Sequence, residues 1–72
     1  MLKLQDIKNK IKELKLQLVN NVEILTVDTY LEFINKLTNI SADIDLKAIE
    51  EINNDLMDLE QEIEAKINEL SI

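Results

Sequence analysis

Apolar residues recur along the chain at the spacing of an α-helix. Leu4, Ile7, Ile11, Leu14 and Leu18 follow one another at intervals of 3, 4, 3 and 4, a heptad seam that predicts a first helix over about residues 2–21. Leu2, Leu16 and Val19 stand off that seam and widen the apolar area, so this helix is expected to meet more than one neighbour. Asn20 and Asn21 weaken it, and the β-branched stretch from Val22 to Val27 is the least helical part of the chain. Thr26, Asp28 and Thr29 then offer N-cap side chains, and Thr29 with Glu32 spells a capping box. A second helix is expected over about 28–40, with Tyr30, Phe33, Ile34 and Leu37 on one face. Ser41 to Asp45 form a second break. Beyond it Leu46, Ile49, Ile52, Leu56, Leu59, Ile63, Ile67 and Leu70 predict a third helix over about 45–70. After Ile63 a strict heptad would turn Lys66 inward, but the stripe moves to Ile67, which suits a straight helix or a change of neighbour.

Composition narrows the fold class. The 72 residues include no Gly, Pro, Cys, His or Trp, and all eight basic residues are Lys. Nearly half the chain is apolar, with one Tyr and one Phe, a profile of long helices rather than sheets. A single core of this length supplies only about 3–5 kcal/mol, and no cysteine or histidine can staple it. Self-association is the remaining way to bury apolar surface. The expectation is therefore one all-α domain spanning 1–72, of two or three amphipathic helices forming a helical hairpin-like, coiled-coil-type homodimer. Ile7, Ile11, Leu14 and Leu18 would carry dimerisation, and Ile49, Ile52, Leu56 and Leu59 would close the core.

Candidate chemistry is sparse. Without His or Cys, Ser41 and Ser71 have no base to activate them, so no nucleophilic triad can be assembled and no enzyme is expected. Zinc sites want Cys or His, and nucleotide loops want Gly, so neither metal nor cofactor is expected. Asp43-Ile44-Asp45 opens like a calcium loop, yet Lys47 stands where the third ligand belongs. Glu60, Glu62, Glu64 and Glu69 read as the solvated side of an amphipathic helix rather than as a carboxylate site. Asn39-Ile40-Ser41 fits the glycosylation pattern, but the start of the chain lacks a signal-peptide core and no apolar run approaches the ~20 residues of a membrane span. A cytoplasmic protein is expected, and the acceptor pattern reads as a chance match.

Charge separates along the chain. Residues 1–20 carry five Lys against Asp6 and Glu13, net +3, whereas 41–72 carry Lys47 and Lys66 against ten acids, net −8. Lys3, Lys8, Lys10, Lys12 and Lys15 would suit a nucleic acid or an anionic membrane, but with no Arg, almost no aromatics and a net charge of −7, pairing with the acidic third helix is the better account. Partners are thus expected to be proteins, with neither nucleic acid nor membrane. The last apolar positions, Ile63, Ile67, Leu70 and Ile72 with Lys66 beside them, run to the final residue, where chains usually become polar. That pattern suits either the end of the core or a helix docking in another protein's groove.

Length, acidic helical character, a composition rich in Ile, Asn and Lys, a heptad-bearing first half and the amphipathic end Glu64-Ala65-Lys66-Ile67-Asn68-Glu69-Leu70 give the chain a further likeness. It resembles the small scaffolding proteins of tailed phages and their satellites, among them the capsid morphogenesis B proteins of staphylococcal pathogenicity islands. That resemblance implies a non-catalytic homodimer in the host cytoplasm, transiently inside procapsids. It would bind the major capsid protein of a helper phage through Ile63, Lys66, Ile67, Leu70 and Ile72, directing assembly to a smaller capsid. The other expectation is a small acidic helical regulator, or a nucleic-acid mimic, that inhibits a host protein.

Overall fold

The computed structural model describes residues 3–71. All regular structure among them is helical: α1 (Leu4–Asn20), a single-turn α2 (Val22–Leu25), α3 (Val27–Ala42) and α4 (Ile49–Leu70). The molecule is 37 Å long, little more than the length of α4 alone at roughly 1.5 Å per residue. The chain must therefore reverse twice. α1, α3 and α4 pack pairwise as an up-down-up bundle, with α2 forming the corner between α1 and α3 and a loop over 43–48 joining α3 to α4.

Local chemistry explains most of the ends. Asp6 accepts a hydrogen bond from the Lys3 backbone N–H at 2.9 Å, the backward-reaching half of a capping box, and its charge suits the start of α1. α1 stops where the Asn21 side chain donates to the Gln17 carbonyl at 2.8 Å. The second helix differs from expectation. The capping box of Thr29 and Glu32 does not form, because α3 already starts at Val27 and places Thr29 inside its first turn. Thr26 occupies the N-cap position with φ 71° and ψ 158°, a region that normally admits only glycine. Hydrogen bonding continues across this kink: the Thr26 N–H donates to Val22 O, and the Tyr30 N–H to Thr26 O, each at 3.0 Å. The second break also runs longer than the sequence suggests, so α4 begins at Ile49 rather than near 45.

Among the described residues ten side chains form the core: Ile7, Leu14, Leu18, Leu25, Phe33, Leu37, Ile52, Leu56, Leu59 and Ile63. No polar or charged residue is buried among the described residues. Ile7, Leu14, Leu18, Ile52, Leu56 and Leu59, expected to meet at a seam between two chains or to close its core, all lie inside one chain, while Ile11 and Ile49 are partly buried at the edge of the same core. The reason is α3. Phe33 and Leu37 supply a third wall and Leu25 covers one end, so a single chain completes the enclosure. Burial of aliphatic surface, at about 25 cal/mol per Å², is what holds the three helices together.

Candidate interaction surfaces

The expected docking residues at the end of α4 divide by depth. Ile63 is fully buried and belongs to the core, which removes it from any docking surface. Ile67 is half-buried against that core, and Lys66 is half-buried with its ammonium 3.6 Å from Glu69. Leu70 is 41% exposed. Ile72 lies outside the described residues. The structure thus brings Lys66, Ile67 and Leu70 to the end of one helix, with exposure rising toward the terminus.

Ion pairs hold α4 to both neighbours. Lys10 Nζ bonds Glu60 Oε2, joining α1 to α4 with both side chains less than a third exposed. Lys36 Nζ lies 3.2 Å from Glu62 Oε2, joining α3 to α4, and 5.7 Å from the centroid of the Phe33 ring. Attraction between the basic first helix and the acidic last one therefore acts within the chain, but through one lysine of five. Lys3, Lys8, Lys12 and Lys15 make no ion pair among the described residues.

The segment resembling a calcium loop has a different occupant. The Lys47 ammonium sits 3.5 Å from Asp43 and 3.3 Å from Asp55, bridging the end of α3 to the second turn of α4. The hydrogen bond and charge of Asp55, with the charge of Asp43, hold Lys47 above its ordinary pKa of 10.5. A lysine ammonium thus occupies the side of Asp43, the first carboxylate of that segment, and ties it to Asp55 of α4. Glu60, Glu62, Glu64 and Glu69 do not converge, since Glu60 turns toward α1, Glu62 toward α3, and no cluster of metal-binding type exists among the described residues. No helix of the described residues is long and apolar enough to cross a membrane.

A shallow groove between α3 and α4 is lined by Lys36, Asn39, Ile40, Asp55, Asp58, Leu59 and Glu62. Sequence reasoning did not identify this groove, because it depends on how two helices pack. Exposed apolar side chains gather elsewhere: Leu4, Leu16, Val19, Ile24, Val27 and Leu31 belong to α1, α2 and α3, whereas α4 exposes only Met57 and Leu70 of this kind. The chain matches no protein-family model, no curated protein and no solved structure.

Proposed function

We propose that the chain is a non-enzymatic interaction protein that acts as an internal scaffold of a phage-type capsid. The end of α4 engages the major capsid protein, and the bundle supplies the body that presents it. One observation carries this reading: the apolar stripe of α4 leaves the core as it nears the terminus, from buried Ile63 through half-buried Ile67 to exposed Leu70 with Lys66 alongside. An amphipathic turn of this kind suits a groove in a partner. Many copies on a shell give avidity to a contact that is weak singly, and weak contacts permit later release. Directing assembly to a smaller shell, from the host cytoplasm and transiently inside the procapsid, completes the proposal. A sequence with no Cys or His supports the absence of catalysis.

The test is affinity capture of tagged protein from phage-infected and uninfected bacterial cells, with electron microscopy of the capsids formed. Leu70→Asp with Lys66→Glu leaves the core untouched, so the fold should persist while capsid protein is lost from the eluate and shell size reverts. Capture of a stoichiometric host protein from uninfected cells would overturn the scaffold reading. It would favour an acidic regulator, for which the exposed Glu50, Glu51, Asp58 and Glu64 of α4, without ion pairs among the described residues, are the supporting observation. Reversing Glu50, Glu51 and Asp58 to Lys would then abolish inhibition, whereas a scaffold would tolerate it.

A further inference from the structure

α3 carries two apolar stripes, and the bundle covers one of them and only the edge of the other. Tyr30, Phe33, Leu37 and Ile40 face the core, and Ile34 packs half-buried against its margin. Val27, Leu31, Ile34 and Thr38, at intervals of 4, 3 and 4, form a second stripe with the spacing of a coiled-coil seam. Val27 is 64% and Leu31 50% exposed.

The ion pairs fix where this stripe points. Lys36 reaches α4, and the second stripe lies roughly half a turn around α3 from it, away from α4. Lys10 also reaches α4, and Lys8, Lys12, Lys15 and Val19 lie roughly half a turn around α1 from it. The outward flanks of α1 and α3 therefore form one face: an apolar strip through Val19, Val27 and Leu31, basic along α1, with Asp28 on the α3 side.

We infer that this α1/α3 face is where a second copy of the chain docks, about a two-fold axis parallel to the bundle. Apolar surface selects the occupant, since the outward side of α4 is acidic and polar, and the matching strip on this protein is the same face of another copy. Charge selects the axis. A two-fold parallel to the helices sets α1 of one copy against α3 of the other, bringing Lys15 toward the partner subunit's Asp28, and keeps the ten acids of residues 41–72 away from each other. Size is sufficient. A standard interface takes on the order of 800 Å² per partner, about a sixth of the chain's 5022 Å², and a three-helix bundle offers three such faces.

The contact gives the proposed scaffold its self-association, replacing the buried seam of Ile7, Leu14 and Leu18 with an outward one. It is tested on the isolated protein without capsid protein, so this inference and the scaffold reading fail separately. Sedimentation equilibrium on the full chain should give a mass that saturates at two chains. Val27→Lys with Leu31→Lys should raise the dimer dissociation constant at least tenfold while the helical circular dichroism is unchanged. Lys15→Glu should weaken the dimer several-fold, and adding Asp28→Lys should restore it, a rescue that a purely structural effect would not produce. A monomeric wild type at millimolar concentration would overturn the inference, as would a mass that keeps growing, a Val27/Leu31 variant that dimerises normally or loses its helicity, or a failed charge rescue.

Discussion

Replacing Thr26 with glycine should stabilise the protein. Thr26 holds φ 71° and ψ 158°, where a Cβ clashes with the backbone and a β-branched side chain is worse still. Such a conformation costs about 1–3 kcal/mol. Little opposes its removal. Both backbone hydrogen bonds across the kink survive the change, and the side chain contributes only an exposed contact from its Oγ1 to that of Thr29, at 3.4 Å. Glycine adds unfolded-state entropy worth about 0.5–1 kcal/mol, which leaves a net gain of about 1 kcal/mol at the middle of these ranges. At about 4–8 °C per kcal/mol for a domain of this size, the melting temperature should rise by several degrees. Urea unfolding followed by circular dichroism should show a higher midpoint with an unchanged slope. Thr26→Ala keeps the Cβ and is the control. If alanine stabilises as much as glycine, or if glycine destabilises, the kink is not strained and the reasoning fails.

Two further predictions follow from packing and charge. Leu56→Ala, at a fully buried position among aliphatic neighbours, should cost about 2–5 kcal/mol, comparable to the whole stability of so small a core, and helicity at 25 °C should fall steeply; a loss below about 1 kcal/mol would mean that Leu56 is not enclosed. Lys47 has a raised pKa in the folded state, so its bridge contributes fully below the ordinary value of 10.5 and is lost as pH climbs through the folded value above it. The difference in urea midpoint between wild type and Lys47→Gln should accordingly be present at about pH 8 and shrink as pH rises above 10.5; a difference that grows with pH would contradict the bridge.

The sequence exposes the long periodic elements most clearly. α4 is legible because Ile52, Leu56, Leu59 and Ile63 repeat at helical spacing without interruption, and α1 for the same reason. What such a stripe cannot reveal is what covers it. A heptad seam covered by two helices of its own chain looks the same as one covered by another chain, which is why Leu14 and Leu18 suggested a dimer contact and lie in the interior. Ile63 belongs to the expected docking set because the stripe itself has no mark where full burial ends; that depends on what packs against each position. The kink at Thr26 was hidden because its side chain advertises an ordinary N-cap, while its backbone adopts a conformation that composition gives no reason to expect. Lys66, Ile67 and Leu70 share a helix end because four residues cover about 6 Å of helix, a local fact that needs no tertiary information.

An interior of aliphatic side chains with one phenylalanine and, among the described residues, no buried polar group has an evolutionary consequence. Such a core constrains total volume and periodicity but asks for no particular residue at any position, since exchanges among Leu, Ile, Val and Met that conserve volume cost less than about 1.5 kcal/mol. Descendants of this chain can therefore replace every core residue in turn and keep the bundle. What drift leaves longest is the rhythm of the three stripes and the few charges that set how the helices are turned toward one another, Lys10 with Glu60 and Lys36 with Glu62.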